Sequence, residues 1–412
     1  MLNLPRYIML FEGGAGGHMA HPFDYTDFTA NDLIDLVDSL FKGKIEDLKE
    51  KLDGFNIEAT LNKEGKAVFI RNDEERNSEQ GGITIDEMYK KWEGKDQQIK
   101  VFTTSGKIIE QILSKFSPKD FNPDENHRKI LNCECIVAGQ TNIMPYAADR
   151  VAFHGYKIYE KAIGDKKGKF FGKEIWKVVE DVEGHVDDIY KAAEGIDQAK
   201  PRPNLVIKSA EDGIKFADKF TKAITKLWED EGLKNDASIE NWKKVRFKKF
   251  AQDWFKDDND IFNRMCNDDK SVNANELKKR YPDHKDDIKL LDKELRKEIV
   301  GKIMEPMDNL FLSIGNELID ILDGFINSGA KDKVTQQIKT DLENVTSEVE
   351  KSDSIKAKDK VEKALQRLQV LGNKYNAAEG IVIMYKGRRL KMTGSFAPIN
   401  QVLGVRFDLE NK

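Results

Sequence analysis

Two strand-like regions bracket a long helical block, and this order constrains the chain more than any other feature. The first region spans "IEDLKEKLDGFNIEATLN", "KAVFIRN", "NCECIVAG" and "DRVAFHGYKIY". The second, "EGIVIMYKGRRLKMTG", comes only after Asn376. From about Asp165 to Gly372 the apolar residues instead recur at helical spacing. Ile214, Ala217, Phe220, Ile224 and Leu227 follow the i, i+3, i+4, i+7 rule, as do Phe311, Ile314, Leu318, Ile321, Leu322 and Phe325. Val361, Ala364, Leu365, Leu368 and Leu371 form a third such stripe. Stripes of this width read as helix–helix core. Strands far apart in sequence can still join one sheet, which would make residues 165–372 an inserted domain between a first part, 1–164, and closing strands, 373–412. The expected fold class is α+β, antiparallel sheets with a large helical insertion.

Smaller signals agree. "FTANDLIDLVDSLFKG" places Leu33, Leu36, Val37, Leu40 and Phe41 on one helix face and Gly43 at its stop. Lys63–Gly65 forms a turn between two strands. Thr84 and Glu87 have capping-box spacing ahead of a short helix, and a further helix covers about Gln98–Phe116.

Among the 412 residues 39 % are apolar, enough for a real core, and 34 % are charged. The net charge of −5, from 68 basic and 73 acidic residues, announces no nucleic-acid binder, although a phosphate groove needs only a local field. Cys133, Cys135 and Cys266 make no CxxC pair, so neither a disulfide framework nor a zinc knuckle is expected. There is no apolar run of membrane-spanning length. "MLNLPRYIMLFEGG" is broken by Pro5 and Arg6 and does not read as a signal peptide. A cytoplasmic protein without a membrane partner is expected.

The chemistry centres on "EKLDGFNIEA". Lys51 precedes the Asp53–Gly54 turn, and a lysine becomes a nucleophile when its amine sheds a proton, through neighbouring cations or desolvation. Alone, "KLDG" is weak: a solvated lysine before a turn explains it. Five later elements accompany it in order. These are Arg71 in "FIRN", Glu134 in "NCECIVAG", Phe153 in "RVAFHG", Glu379 in "AAEGIVI", and Arg389 with Lys391 in "RRLKMTG".

Together these resemble the covalent nucleotidyltransferase superfamily, which includes RNA ligases, DNA ligases and mRNA capping enzymes. The Gly-rich start "EGGAGGHMAHPFD" is similar to that of a phage-encoded branch, where the host cytoplasm would be the setting. "KLDG" and "EGIVI…RRLKM" carry most of the match, which covers about residues 45–160 and 374–395. The resemblance implies a nucleotidyltransferase (ATP-grasp-like ligase) core in which Lys51 attacks the α-phosphorus of ATP. It implies nucleotide binding by Asp53, Gly54, Arg71, Glu134, Phe153, Glu379, Arg389 and Lys391. Phe153 would stack on the base, and Glu134 and Glu379 would hold Mg²⁺. Lys391, Arg389 and Arg71 would neutralise the triphosphate and depress the Lys51 pKa. Arg389 stands where the family has the first lysine of Lys-x-Lys, and its planar fork suits phosphate. The partner implied is a nucleic acid, RNA or DNA ends. Alternatives are transfer to another acceptor (a protein or an RNA cap) and a catalytically dead core kept for interaction.

The chain departs from the family in two ways. Only residues 396–412 follow Ser395, so the further barrel domain of known ligases is not expected, which favours RNA over DNA. The block between Phe153 and Glu379 is also far longer than usual, and could take over substrate binding. Other features are set aside. "GGAGGH" lacks the Gly-Lys-Ser/Thr ending of a phosphate loop and reads as a lid, a substrate-contacting loop or a mobile terminus. His18 and His21 lack a third metal partner, and "NDDKSVNANEL" lacks the glycine and final glutamate of a calcium loop. The tract around Lys243, Lys244, Arg246, Lys248 and Lys249, interleaved with Trp242, Phe247, Phe250 and Trp254, reads as an amphipathic helix before a single-strand grip.

Overall fold

The structure, a computed structural model, describes residues 19–45, 47–140, 143–164, 170–183, 185–251 and 285–406, together with residue 279. "GGAGGH" with His18, Cys266, Trp254 and "NDDKSVNANEL" lie outside the described residues.

Helix α1 (Ala30–Phe41) forms as its pattern demands. Thr29 Oγ1 accepts from the Asp32 N–H, the Asp32 carboxylate accepts from the Thr29 N–H, and Leu33, Leu36, Val37, Leu40 and Phe41 are buried. Strand β1 (Leu48–Lys51) follows, then β2 (Phe55–Leu61) and β3 (Ala67–Ile70). Helix α2 (Asp96–Leu113) leads to β4 (His127–Ile136), β5 (Arg150–Ile163) and β6 (Glu174–Glu183). The helical block supplies α3 (Ala210–Glu229), α4 (Ile239–Ala251), α5 (Lys285–Ile321), α6 (Lys331–Lys351) and α7 (Ile355–Val370). Strands β7 (Gly380–Tyr385) and β8 (Arg388–Thr393) and helix α8 (Phe396–Leu403) close the described chain.

Two antiparallel sheets hold the site, one ordered β1-β7-β8 and the other β3-β2-β4-β5-β6. The sequence-distant strands do share a sheet, since Lys51 lies opposite Gly380 and Leu48 opposite Ile383. The "KLDG" segment is the joint between the sheets: β1 ends at Lys51 and β2, in the other sheet, begins at Phe55.

The boundary expected at 165 moves. Strand β6 pairs with β5 as far as Glu183, so 165 falls inside a hairpin of the larger sheet, and the helices come later. Nor do the helices build a core of their own. Phe220 and Trp228 of α3 and Phe311 and Ile314 of α5 share one apolar cluster with Leu36 of α1 and Ile381 of β7. Ile338 and Val345 of α6 and Leu368 of α7 share another with Leu52, Ile136 and Ile399. Contact is close enough to require glycine: a Cβ on Gly315 of α5 would meet the Thr393 carbonyl oxygen at 2.3 Å. The next residue, Asn316, accepts from Asn376 Nδ2 at 2.8 Å.

In α4 the lysine-rich tract is a helix that turns Trp242, Lys243 and Arg246 inward and leaves Lys244 and Lys249 exposed, while the side chains of Phe247, Lys248 and Phe250 lie outside the description. Trp242 is buried and stacks on Trp228 at 5.8 Å. Lys243 Nζ donates to the Phe23 carbonyl and Arg246 to Ile303 O and Glu231. Cys133 and Cys135 are buried free thiols, both raised in pKa first by burial. Among the described residues no helix is long and apolar enough to cross a membrane.

Glu50 illustrates the cost of ordering β1 between two layers. Its side chain is 2 % exposed, Oε2 accepts from the Ile326 N–H at 2.7 Å, and Oε1 has no hydrogen-bond partner. Burial pushes its pKa from 4.5 to about 7, against that hydrogen bond and the charges of Arg202 and Arg150. A carboxyl raised on folding contributes stability that is fully present below about pH 4.5 and lost as the pH rises through about 7. Glu50→Gln keeps the acceptor for Ile326 and cannot ionise. Relative to the wild type it is expected to gain stability between pH 5 and pH 8, by about 3 kcal/mol at most. Urea unfolding of both proteins at the two pH values reads this; a difference that does not change with pH would contradict it.

Candidate active site

The joint places Lys51 where the two sheets meet. Its side chain keeps 22 % of its surface exposed, while the amine itself feels strong desolvation by burial. Nζ forms an ion pair with Glu379 Oε1, from the residue immediately before β7. The turn beside it is pinned on both sides. Asp53 Oδ2 accepts from the Ile143 and Met144 N–H groups at 2.9 and 2.6 Å, and the Asp53 N–H donates to Tyr146 Oη at 2.8 Å. The Gly54 N–H donates to Glu134 Oε1 at 2.9 Å. A Cβ on Gly54 would sit 2.6 Å from Glu134 Cγ and 2.9 Å from the Cys135 oxygen. Glycine is thus required by close approach to β4.

Alternation along β4 and β5 decides which side chains face this joint. Cys133 lies opposite Phe153 and Glu134 opposite Ala152, whereas Asn132 lies opposite Gly155. The register shift leaves His154 as an extra residue in a bulge, and bulges re-aim side chains. His154 Nε2 lies 2.8 Å from Glu134 Oε2. Phe153 points the other way. It is 2 % exposed, packs among Ile57, Cys133 and Phe102 beneath α2, and meets Tyr190 edge-on at 5.5 Å. The expected base-stacking role is therefore corrected: Phe153 is core, because strand parity puts it on the face opposite Glu134. Phe153→Ala is expected to cost about 3–5 kcal/mol of stability with no change in ligand preference. Denaturant unfolding and a nucleotide competition assay would check both halves.

The basic residues divide. Arg389 and Lys391 alternate along β8 and share its face, opposite Met384 and Val382 of β7. Lys391 is buried, and its N–H donates to the Ala20 carbonyl at 2.9 Å, so residues 19–21 run beside β8. That brings His21 to the site. It stacks on Phe23 at 5.0 Å, and its pKa is pushed to about 3 by burial, then by Lys391 and Lys51. Arg71 is directed elsewhere: its guanidinium lies over Phe102 at 4.7 Å and donates to the Asn56 carbonyl. Arg202, which the sequence pattern did not single out, enters from the segment after β6. Its Nη1 donates to the Glu50 carbonyl at 2.7 Å and its Nη2 lies 3.4 Å from His154 Nδ1.

The electrostatics differ from the expectation that cations would depress Lys51. Burial does push its amine down, but Glu379, Glu134 and Asp53 together outweigh it and leave the pKa raised. Glu379 is pushed to about 8, first by burial, with Asp53 and Glu134 adding to it and Lys51 opposing. Glu134 ends lower than usual: burial raises it, and His154, Lys51 and the Gly54 N–H more than compensate. Three carboxylates thus surround one amine, and Lys51 rests as an ammonium.

Among the described residues no group of three or more His, Cys, Asp or Glu side chains is arranged to hold a metal ion. Mg²⁺ needs less, since it is commonly held by one or two carboxylates with phosphate oxygens and water. Glu379 fits that requirement, because its Oε2 is buried with no hydrogen-bond partner. Both oxygens of Glu134 already carry hydrogen bonds, from Gly54 and with His154, so Glu379 offers the open carboxylate oxygen. Comparison with protein-family models, with curated proteins and with solved structures finds no match for this chain.

Proposed function

We propose that the protein is a nucleotidyltransferase that forms a covalent lysyl-nucleotide at Lys51 and, with ATP, adenylylates and joins polynucleotide ends. The observation that carries this reading is the Lys51 amine at the joint of two sheets, ion-paired with Glu379 and beside the Glu134–Gly54 contact. Arg389 and Lys391 on β8 supply cations on the third strand of the same sheet, as a polyphosphate demands.

In the first step the Lys51 ammonium passes a proton to Glu379 Oε1, its existing partner. A carboxylate whose pKa is about 8 accepts that proton far more readily than an ordinary one. The freed amine attacks the α-phosphorus; an N–P bond forms, the P–O bond to pyrophosphate breaks, and the electron pair leaves with pyrophosphate. Glu379 would hold Mg²⁺, which when bound would supply charge neutralisation for the pyrophosphate leaving group. The nucleotide then passes to a 5′-phosphate end, and a 3′-hydroxyl displaces AMP. The helical block, packed on both sheets, is the surface available for the polynucleotide.

Incubation with α-³²P-labelled ATP or GTP and Mg²⁺, followed by a denaturing gel, tests the covalent step. Acid-labile label on the protein is expected with ATP, and its discharge by nicked or single-stranded RNA or DNA identifies the acceptor. Label that no polynucleotide discharges would point to a protein or cap acceptor; no label with any triphosphate would overturn the proposal.

A further inference from the structure

Arg202 and His154 are absent from the constellation legible in the sequence, yet they reach the joint through a continuous chain of contacts. The segment carrying Arg202 lies along the free edge of β1. The Leu205 N–H donates to the Leu48 carbonyl at 2.7 Å, Lys49 Nζ donates to the Arg202 carbonyl at 3.2 Å, and Arg202 Nη1 donates to the Glu50 carbonyl at 2.7 Å. From that anchor Nη2 faces His154 Nδ1 at 3.4 Å. On the other side of the ring, Nε2 lies 2.8 Å from Glu134 Oε2, while Glu134 Oε1 accepts from Gly54.

An arginine has only donors and stays protonated in proteins, so a ring nitrogen facing it must accept. A neutral imidazole carries one proton, so if Nδ1 accepts, Nε2 donates. A carboxylate oxygen is the acceptor such a donor wants. Donor and acceptor roles therefore close in only one sense along the chain.

We propose that Arg202 and His154 are positioning residues that brace Glu134 against Gly54, with Arg202 holding His154 as the neutral tautomer protonated on Nε2. The inference rests on the lysyl-nucleotide reading for its effect on rate, and on geometry alone for the tautomer. Its consequence is that a residue of the inserted block, Arg202, sets the orientation of a carboxylate on β4 and so the placing of the turn beside Lys51. Rigid placing matters here because a displacement of about 1 Å at a reacting group can cost about 10²-fold in rate.

Two measurements test the brace. In protein labelled with ¹⁵N at its six histidines, the signal lost in His154→Gln assigns His154. At fixed neutral pH the two-bond ¹H–¹⁵N pattern is expected to show Nε2 protonated in the wild type and a mixture of tautomers in Arg202→Met. A wild-type ring protonated on Nδ1, or a tautomer unchanged by Arg202→Met, overturns the proposal whether or not the protein takes a label. The second measurement compares rates of Lys51 labelling. Gln can present an N–H near the place of Nε2–H, so His154→Gln is expected to stay within a few-fold of wild type, whereas His154→Leu falls by about 10–100-fold. Equal loss in both variants, with unchanged unfolding midpoints, contradicts positioning through that N–H. Absence of label in the wild type itself would instead count against the proposed function, leaving the tautomer experiment to decide the brace.

Discussion

Lys51→Ala and Lys51→Arg are both expected to abolish covalent labelling by α-³²P-ATP, and Glu379→Gln to slow it by about 10²–10⁴-fold. Alanine removes the nucleophile. Arginine keeps the charge and the ion pair with Glu379, but it does not deprotonate near neutral pH and cannot attack phosphorus. The comparison therefore separates nucleophilic chemistry from electrostatic binding of a triphosphate, which Lys51→Arg would preserve. Glu379→Gln keeps nearly the same shape while removing the proton acceptor and the open carboxylate oxygen. In the wild type the labelling rate is expected to rise with pH through about 8, as Glu379 loses its proton and becomes able to take that of Lys51. In Glu379→Gln that inflection is expected to vanish. Label retained at the wild-type level by Lys51→Ala would show that the ion pair at the joint has another purpose. An inflection unchanged in Glu379→Gln would move the base to another group.

How much of this was legible depends on what sort of signal each residue leaves. Lys51, Gly54 and Glu379 are adjacent to backbone features with sequence signatures: a turn, and a glycine opening a hydrophobic strand. The structure brings all three to one point. Helix α1 was readable in its apolar face and its stop at Gly43, whereas the Thr29–Asp32 cap, also a local device, went unread. Phe153 was misplaced by one residue of parity. The neighbouring His154 faces the joint because a bulge in β5 inserts it, and the lone Gly155 in "RVAFHG" was the local signal that went unread. Arg202 lay in "AKPRPN", where nothing periodic marks a functional side chain; only the packing of that segment along β1 gives it a role. The Lys51 pKa was inferred with the wrong sign because cations in sequence motifs are easily counted. The burial of Asp53, Glu134 and Glu379 around the same amine comes only from tertiary structure.

The largest structural effect is expected from removing the helical block. Its long distance from the motifs in sequence suggests a module that could be excised to leave a nucleotide-binding core. Packing argues the reverse. Leu36 and Leu40 of α1, Ile381 and Ile383 of β7, and Leu390 and Met392 of β8 are buried in one cluster with side chains of α3 and α5. Each apolar side chain of that size gains about 1.5–3 kcal/mol from full burial. Exposing even these six would therefore forfeit on the order of 10 kcal/mol. A folded domain has only about 5–15 kcal/mol of net stability. Replacing residues 185–372 by a short Gly/Ser linker is thus expected to give a chain with no cooperative urea transition, strong binding of a hydrophobic dye, and no label at Lys51. Point variants in the same block that leave the cores intact, such as Arg202→Met, are expected to keep the wild-type transition. A truncated chain that unfolds cooperatively and still forms the lysyl-nucleotide would show that the two sheets stabilise each other alone. The helices would then be a covering on a core that does not need them.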